Sequence, residues 1–326
     1  MRVAVVGLGL IGGSVARRLA PAHDVVGWDA EARTREQAAA AGLPVAGSVE
    51  EAAAGADVAV VATPLGTTAT VLTALSTTDC RTVTDVGSVK VPVLGAASAA
   101  GLAERFVGGH PMAGTERAGF AASDPALLDG AAWVLCLDDG TDLGSWRRVA
   151  ALVTGAGCRV VPCRAGAHDE AIARVSALPH LLACALSLAG ADGGPLAGAL
   201  AAGSFRDGTR VAGSRPELIA ALCENNRTAL TPVLDETIAL LDEARATLAG
   251  GRSVMRVAMA GHTARHAWAE PKPTVAEVLD PAADGFRGDL LDLGAAGGFV
   301  DAVLPDGTLH GQRPTGTDPA LTDSEL

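Results

Sequence analysis

One histidine, His110, lies in an unusually bare loop of the sequence, GGHPMAG at 108–114. Two glycines precede it and Pro111 follows it, so the imidazole gains open space while the backbone beside it loses freedom. The loop comes directly after a predicted strand, RFVGG. An imidazole at such a strand end can accept the proton of a substrate hydroxyl while hydride leaves the same carbon. His110 is therefore predicted to be a general base and not a solvated surface histidine.

Two neighbouring predicted strands also end in residues suited to chemistry. Thr63-Pro64 follows one strand, and DVGSVK at 85–90 follows the next. In open parallel sheets, ligands meet the carboxyl ends of the strands. Ser88 and Lys90 are therefore predicted to converge with His110 beside a bound cofactor.

A glycine pattern at the start of the chain predicts that cofactor. The strand RVAVV runs straight into Gly7-x-Gly9-x-x-Gly12, which opens a predicted helix. Gly7 permits a tight turn, Gly9 lets a pyrophosphate approach the backbone, and Gly12 lets helix and strand pack closely. The free N–H groups of the helix then face the phosphates. The predicted cofactor-binding residues of this turn are Gly7, Leu8, Gly9, Leu10, Ile11 and Gly12.

An acidic residue distinguishes between the two nicotinamide cofactors. Asp29 ends the second predicted strand, HDVVGWD, 17 residues after Gly12. A carboxylate there accepts hydrogen bonds from the adenosine ribose and repels a 2′-phosphate, which favours NAD. Arg33 lies nearby and keeps NADP as the alternative. Thr63 and Pro64 are predicted to complete the cofactor side of the site.

The pattern of apolar residues predicts two kinds of structure in succession. In the first half, β-branched runs alternate with alanine-rich helical stretches, which is typical of an α/β fold with a doubly wound parallel sheet. The predicted strands lie at 2–6, 23–29, 57–63, 81–86, 105–109, 132–137 and 158–163. From about residue 165 the apolar spacing becomes helical over many turns, and such a surface must pack in a bundle or against a second subunit.

These changes divide the chain into three predicted parts. Residues 1–163 form the dinucleotide-binding domain, 164–250 an all-helical domain, and 251–326 a short C-terminal extension. The extension is predicted to contain a helix over 252–268 and a hairpin around Pro305-Asp306-Gly307, with its last dozen residues disordered.

Composition excludes several classes of protein. The net charge is −12 and the 25 Lys and Arg residues are scattered, which argues against a nucleic-acid or anionic-membrane partner. The longest apolar stretch, 181–191, is too short to span a bilayer. The six cysteines stand singly, with no C-x-x-C pair, as expected of reduced thiols in a cytoplasmic protein.

No metal site is predicted. His262 and His266 are four residues apart, which places two imidazoles on one helical face. No glutamate follows His262 and no third ligand stands nearby, so a solvated helix face is the preferred interpretation.

Several blocks of this sequence occur in the same order in one enzyme family. GLGLIGGS, DVGSVK, GGHPMAGTERAGF, HDE at 168–170, SALPH at 176–180 and FRDGTR at 205–210 resemble the prephenate/arogenate dehydrogenases of tyrosine biosynthesis. The resemblance covers roughly residues 1–245. It implies a Rossmann domain followed by an all-helical dimerisation domain, a homodimer, and NAD-dependent oxidative decarboxylation of prephenate to 4-hydroxyphenylpyruvate. Arogenate and 4-amino-4-deoxyprephenate are the alternative cyclohexadiene carboxylate substrates.

The resemblance also implies roles for individual residues. His110 is the base at the 4-hydroxyl and Ser88 orients that hydroxyl. From the helical domain, His180 and Arg210 reach the substrate, and a guanidinium is the expected partner of its carboxylates. Gly203 lies where a second subunit approaches the site. Ala177 departs from the pattern, because many relatives carry a second histidine there.

Each of these assignments has an alternative at this stage. In the alternative interpretations, Ser88 only caps the following helix and Arg210 only forms a surface ion pair with Asp207. Lys90 likewise pairs with Glu116 instead of binding the substrate. For His168, at the start of the HDE block, a structural hydrogen bond and a substrate role remain equally open.

Two other functions fit the dinucleotide motif. Dehydrogenases of the β-hydroxyacid type use a lysine of the second domain for acid–base work, but the two lysines here, Lys90 and Lys272, lie outside the helical region. A non-catalytic NAD sensor would need a marked partner surface, and the acidic composition offers none.

Overall fold

Five short strands form the first sheet of the protein, whose computed structural model describes residues 1–115, 117–270 and 272–315. They are β1 (Arg2–Val6), β2 (Asp24–Trp28), β3 (Val58–Val61), β4 (Thr82–Asp85) and β5 (Phe106–Val107). All are parallel, in the order β2-β1-β3-β4-β5. The connecting helices are α1 (Leu10–Leu19), α2 (Ala32–Ala40), α3 (Val49–Ala53), α4 (Leu65–Ser76) and α5 (Val91–Ala99). The predicted Rossmann-type sheet is confirmed, and the carboxyl ends of β3 and β4 lie side by side.

A second sheet begins directly after the first. Its strands are β6 (Gly109–Pro111), β7 (Ala132–Cys136), β8 (Arg159–Cys163), β9 (Thr274–Leu279), β10 (Phe299–Val303) and β11 (Leu309–Pro314). They lie in the order β6-β7-β8-β10-β11-β9. Because β6 runs antiparallel to β7 and β7 parallel to β8, this sheet is mixed. The helices α6 (Leu143–Gly155) and α14 (Phe286–Ala295) accompany it.

This arrangement differs from the single sheet that the sequence predicts. The strand expected over 105–109 is divided at Gly108, so that β5 belongs to the first sheet and β6 to the second. The C-terminal extension supplies three strands of the second sheet. The antiparallel pair β10 and β11 lies where the sequence predicts a hairpin, with Gly307 at a φ of +89° in the turn. The predicted disorder falls on 316–326, outside the described residues.

Between these parts the chain is helical, as predicted. The helices are α7 (Ala165–Ile172), α8 (Leu178–Asp192), α9 (Gly194–Leu200), α10 (Gly203–Thr209), α11 (Pro216–Asn225), α12 (Arg227–Ala249) and α13 (Met255–Ala269). A π-helical segment, Ala173–Ala177, joins α7 to α8. By contacts, residues 1–169, 214–225 and 276–313 form one unit, and most of the helical residues, 170–213 and 226–275, form another.

The helical unit carries much apolar surface. Leu188, Leu196 and Leu200 are each about 70% exposed, at 68%, 71% and 72%. Among the described residues, one helix, Ala165–Asp192, is long and apolar enough to cross a membrane by length and composition. A prediction from the apolar stretch 181–191 alone therefore underestimated the length of this helix. Its first turns carry buried, hydrogen-bonded polar side chains, which is typical of a helix inside a folded protein.

Candidate active site

A chain of hydrogen bonds leads from His110 to a buried carboxylate. His110, on β6, has its Nδ1 2.9 Å from Nε2 of His168 on α7. Nδ1 of His168 lies 2.7 Å from Oδ1 of Asp169. The two rings meet edge to face, with centroids 5.1 Å apart. His110 is half-buried, while His168 and Asp169 are each 4% exposed. His168, whose role the sequence left open, therefore bonds the predicted base.

The carboxylate determines which ring nitrogens carry protons. An ionised carboxylate only accepts hydrogen bonds, so His168 donates from Nδ1 and its Nε2 is an acceptor. His110 must then donate from Nδ1 to that acceptor. This assignment follows from the hydrogen-bond network. It leaves the lone pair of His110 on Nε2, the nitrogen that can take a proton from a ligand.

The surroundings of His110 keep it in this neutral form. Burial, then the positive charge of Lys90, then the neighbouring His168 hold the pKa of His110 well below its usual range. A base with a lowered pKa is unprotonated at neutral pH and stays so to more acidic pH than an exposed histidine. His110 is thus poised to accept a proton.

The carboxylate of Asp169 is itself held at the start of α5. Its Oδ1 accepts the backbone N–H of Lys90 at 2.7 Å, and its Oδ2 accepts that of Val91 at 2.9 Å. These are N–H groups that the helix itself leaves unpaired. Lys90 occupies the N-cap position, so Ser88 does not cap this helix. Within the described residues, no hydrogen bond engages the Ser88 hydroxyl, which leaves it available to a ligand.

The side chain of Lys90 is completely buried. Its Nζ bonds to Oδ2 of Asp85 and donates to the carbonyl of Gly109 at 2.6 Å. Lys90 is 0% exposed and Asp85 2% exposed. The sequence predicts Lys90 as a substrate ligand, but such burial offers a substrate no surface. Glu116, the alternative partner, lies outside the described residues.

The glycines before His110 have a different task from the predicted one. A Cβ atom at Gly109 would lie 2.5 Å from the carbonyl oxygen of Asp85, and one at Gly108 would lie 2.8 Å from Leu94. The two glycines therefore let the backbone between β5 and β6 lie close to the end of β4 and to α5. They fix the loop closely and do not open space for a ring to approach.

The turn after β1 fits a dinucleotide. Gly7 has a φ of +96°, and a Cβ on Gly12 would lie 1.9 Å from the carbonyl oxygen of Gly7, so neither position accepts a side chain. A Cβ on Gly9, the N-cap of α1, would meet nothing within 4 Å. Gly9 thus borders open space at a helix N-terminus, as phosphate binding requires. Leu8 is buried, while Leu10 and Ile11 are half-buried beside it.

Two more predicted cofactor residues surround this turn. Asp29 accepts the backbone N–H of Leu8 at 2.7 Å with Oδ2 and that of Glu31 at 2.9 Å with Oδ1. Its carboxylate therefore also holds the glycine turn in place. The buried Oγ1 of Thr63 has no partner among the described residues. An orphaned hydroxyl next to the turn is consistent with a ligand, and Pro64 beside it is the N-cap of α4.

The remaining predicted site residues lie in the helical unit. His180 is half-buried and bonds through Nδ1 to the carbonyl of Ser176 at 2.8 Å, which leaves Nε2 as its acceptor. The π-helical segment ends just before Pro179, which has no N–H to continue an α-helical ladder. Arg210 and Gly203 are exposed. In the described part of the chain, no ion pair joins Arg210 to Asp207.

The described residues contain no group of three His, Cys, Asp or Glu side chains arranged to hold a metal ion. His262 and His266 lie together on the exposed face of α13, with ring centroids 4.3 Å apart.

Comparison with known families agrees with both halves of the chain. Residues 13–162 match the model of the prephenate dehydrogenase nucleotide-binding domain, and residues 164–256 match that of the prephenate dehydrogenase dimerization domain. The cyclohexadienyl dehydrogenase of Zymomonas mobilis is 33% identical over 76% of this chain and 88% of its own length. The chain belongs to the prephenate dehydrogenase family. The prephenate dehydrogenase of Lactococcus lactis is also 33% identical, over 65% of this chain, and the match spans only 61% of that enzyme.

Solved structures of the family have the same fold. A candidate prephenate dehydrogenase of Corynebacterium glutamicum is 38% identical, with a TM-score of 0.84 over 90% of this chain and 96% of its own. Synechocystis arogenate dehydrogenase is 29% identical, with a TM-score of 0.72 over 82% of this chain and 100% of its own. Prephenate dehydrogenase of Aquifex aeolicus, bound to hydroxyphenyl propionate and NAD+, is 26% identical, with a TM-score of 0.73 over 82% and 96%.

The sequence alone missed Asp169 and Asp85 as parts of the site. Asp169 stands in the HDE block, 59 positions after His110, and only the packing of α7 against β6 reveals that the block serves the base. Asp85 stands at the end of a predicted strand, five positions before Lys90, and only the structure shows that the two side chains are buried together.

Proposed function

We propose that this protein is an NAD-dependent prephenate dehydrogenase, which converts prephenate to 4-hydroxyphenylpyruvate and CO2. The observation that carries the proposal is the chain His110–His168–Asp169, which presents an unprotonated Nε2 at a strand end. The glycine turn and the orphaned hydroxyl of Thr63 support a dinucleotide as its companion.

The proposed reaction uses His110 as a reversible proton carrier. When bound, the nicotinamide supplies the acceptor for the hydride that leaves the ring carbon bearing the 4-hydroxyl. His110 accepts the hydroxyl proton at Nε2, and the oxygen becomes a carbonyl. The bond between the ring and its carboxylate then breaks, CO2 leaves, and the electron pair makes the ring aromatic. The resulting phenolate takes the proton back from His110. Ser88 orients the hydroxyl throughout.

Substrate carboxylates are assigned to the helical unit. A guanidinium binds a carboxylate through two parallel hydrogen bonds, and the side chain of Arg210 is exposed. His180 has its Nε2 free to accept, since Nδ1 is engaged by Ser176. We assign Arg210 to a carboxylate, His180 to a further polar contact, and Gly203 to the boundary with a second subunit.

Arg210→Ala is expected to raise the KM for prephenate by about 10²-fold, because a lost charge-assisted contact is worth up to about 3 kcal/mol. The Kd for NAD should not change. Arg206→Ala, which removes a similarly exposed arginine from α10, is the matched control. An unaltered KM in Arg210→Ala would remove this residue from the substrate site.

The assay that tests the proposed function compares substrates and cofactors directly. NADH formation is followed with prephenate, arogenate, 4-amino-4-deoxyprephenate and simple β-hydroxyacids, and kcat/KM is compared. Prephenate with NAD is expected to give the highest value. Arogenate is the alternative, since one relative is named an arogenate dehydrogenase and another a cyclohexadienyl dehydrogenase. The same assay with NADP tests the role of Asp29. Turnover of none of the cyclohexadienes would refute the proposal.

We propose a homodimer formed through the helical unit, in the cytoplasm. The match to a dimerization domain and the exposed leucines of the helical unit support the dimer. No disulfide bond joins the six cysteines in the described part of the chain, which supports a reducing compartment. A mass near that of one chain by light scattering would contradict the dimer.

A further inference from the structure

We infer that the buried pair of Asp85 and Lys90 is a positioning device for His110, and that the lysine charge keeps the imidazole in its proton-accepting form. The inference rests on the proposed role of His110 as the base. It assigns to Lys90 an indirect task in place of substrate contact.

The pair holds the backbone immediately before His110 by both of its polar groups. Oδ1 of Asp85 accepts the N–H of Gly109 at 2.9 Å, and Nζ of Lys90 donates to the carbonyl of Gly109 at 2.6 Å. Oδ2 of Asp85 bonds to Lys90 and also accepts the N–H of Gly87 at 2.8 Å. The peptide units on both sides of Gly109 are therefore fixed to β4 and to the loop after it.

The same lysine also reaches the opposite end of the hydrogen-bond chain. Its backbone N–H donates to Oδ1 of Asp169 at 2.7 Å, and this oxygen also bonds to His168. One residue thus fixes His110 twice: through the backbone at Gly109 and through the ring by way of His168. Only the first of these links requires the lysine side chain, because any residue except proline at this position has the N–H that makes the second.

Stability alone does not account for such a pair. Removing two charges from water costs several kcal/mol per ion, and well-packed apolar residues of similar volume are often as stabilising or more so. Lys90 is 0% exposed, so its ammonium is removed from bulk solvent. The function of the buried charge therefore lies in its effect on the neighbouring His110.

The charged and titratable groups around His110 come from three elements. Asp85 and Lys90 lie at the end of β4 and in the loop after it, His168 and Asp169 lie on α7, and Cys136 lies on β7. Burial raises the pKa of the Cys136 thiol well above its usual value, so it is neutral. Of these groups, Lys90 and His168 lower the pKa of His110, and the effect of Lys90 is the larger.

The test is a titration of His110 in two variants of the full-length protein. The single variant Lys90→Met leaves the carboxylate of Asp85 buried without its partner. The double variant, Asp85→Asn with Lys90→Met, replaces both charges by neutral side chains, so it folds even if the single variant does not. Lys272→Met removes the other lysine of the chain, an exposed one, and is the matched control. With seven histidines in the sequence, imidazole NMR signals can be followed one by one, and His110 is assigned by its loss in His110→Asn.

The expected result is an ordered rise in the midpoint of the His110 titration. The double variant should titrate at a higher pH than the unaltered protein, and Lys90→Met at a higher pH still, because it adds an unpaired carboxylate. The acid limb of the pH profile of kcat/KM should move to higher pH together with the midpoint. The value of kcat should fall, and the Kd for NAD should stay unchanged. Lys272→Met should leave both unchanged.

An unchanged midpoint in the folded double variant would overturn the inference. So would a fall in activity with no movement of the acid limb, which would indicate a purely structural role. The NMR titration needs no substrate. If the protein turns over no cyclohexadiene, the proposed function fails, while the titration still decides whether the pair controls His110.

Discussion

Replacing His110 with asparagine is expected to lower kcat by about 10²- to 10⁴-fold, the usual contribution of a positioned general base. Asparagine is polar and of similar size, but its amide takes no proton from a hydroxyl at neutral pH. The Kd for NAD should change by less than about twofold, because the glycine turn and Asp29 bind the cofactor elsewhere in the proposed site. Steady-state kinetics with prephenate and a direct NAD titration measure the two quantities.

The matched control for this variant is His310→Asn, which alters an exposed histidine on β11 in the same unit. It should keep the activity of the unaltered protein. If His110→Asn turned over at a near-normal rate, His110 would not be the base, and the hydrogen-bond chain behind it would need another explanation.

Much of the fold could be predicted because it depends on local patterns. The alternation of β-branched runs with alanine-rich helices predicts the first sheet, and the glycine turn marks its start. The second sheet could not be predicted, since β8 pairs with β10 across more than a hundred intervening residues. The division at Gly108 was equally hidden, because β5 and β6 have two and three residues and no pattern of their own.

Site residues that are marked by their local sequence could be predicted, whereas those whose role depends on a distant partner could not. His110 stands out by its loop, and Ser88 by its place at a strand end. The sequence singles out Lys90 but not Asp85, because it favours an exposed lysine and gives no sign that Asp85 is buried beside it. His168 gains its meaning only when α7 packs against β6. Such contacts between residues far apart in the sequence are determined by tertiary packing, and no local sequence pattern indicates them.

The second large effect is expected from Asp169→Asn, which should lower kcat by about 10²- to 10⁴-fold although Asp169 touches no substrate. The carboxylate accepts from three N–H groups, those of Lys90, Val91 and the His168 ring. An asparagine has one acceptor oxygen in this place and must turn its NH2 toward one side. If the NH2 faces His168, that ring must accept at Nδ1 and donate from Nε2. His110 then accepts at Nδ1 and carries its proton on Nε2, which blocks proton transfer from the substrate; a wrong imidazole tautomer of this kind costs about 10⁴-fold in serine proteases.

Stability must be separated from this effect. Asp169 also caps α5, and loss of a cap costs about 1 kcal/mol, so the Tm should fall by several degrees. Activity is therefore compared well below the Tm, with Glu170→Gln, the exposed carboxylate next along the helix, as the matched control. ¹⁵N shifts of the His110 ring in the substrate-free protein report the tautomer itself. A folded Asp169→Asn variant with unchanged ring shifts and kcat within about threefold of the unaltered protein would show that the carboxylate does not direct the base.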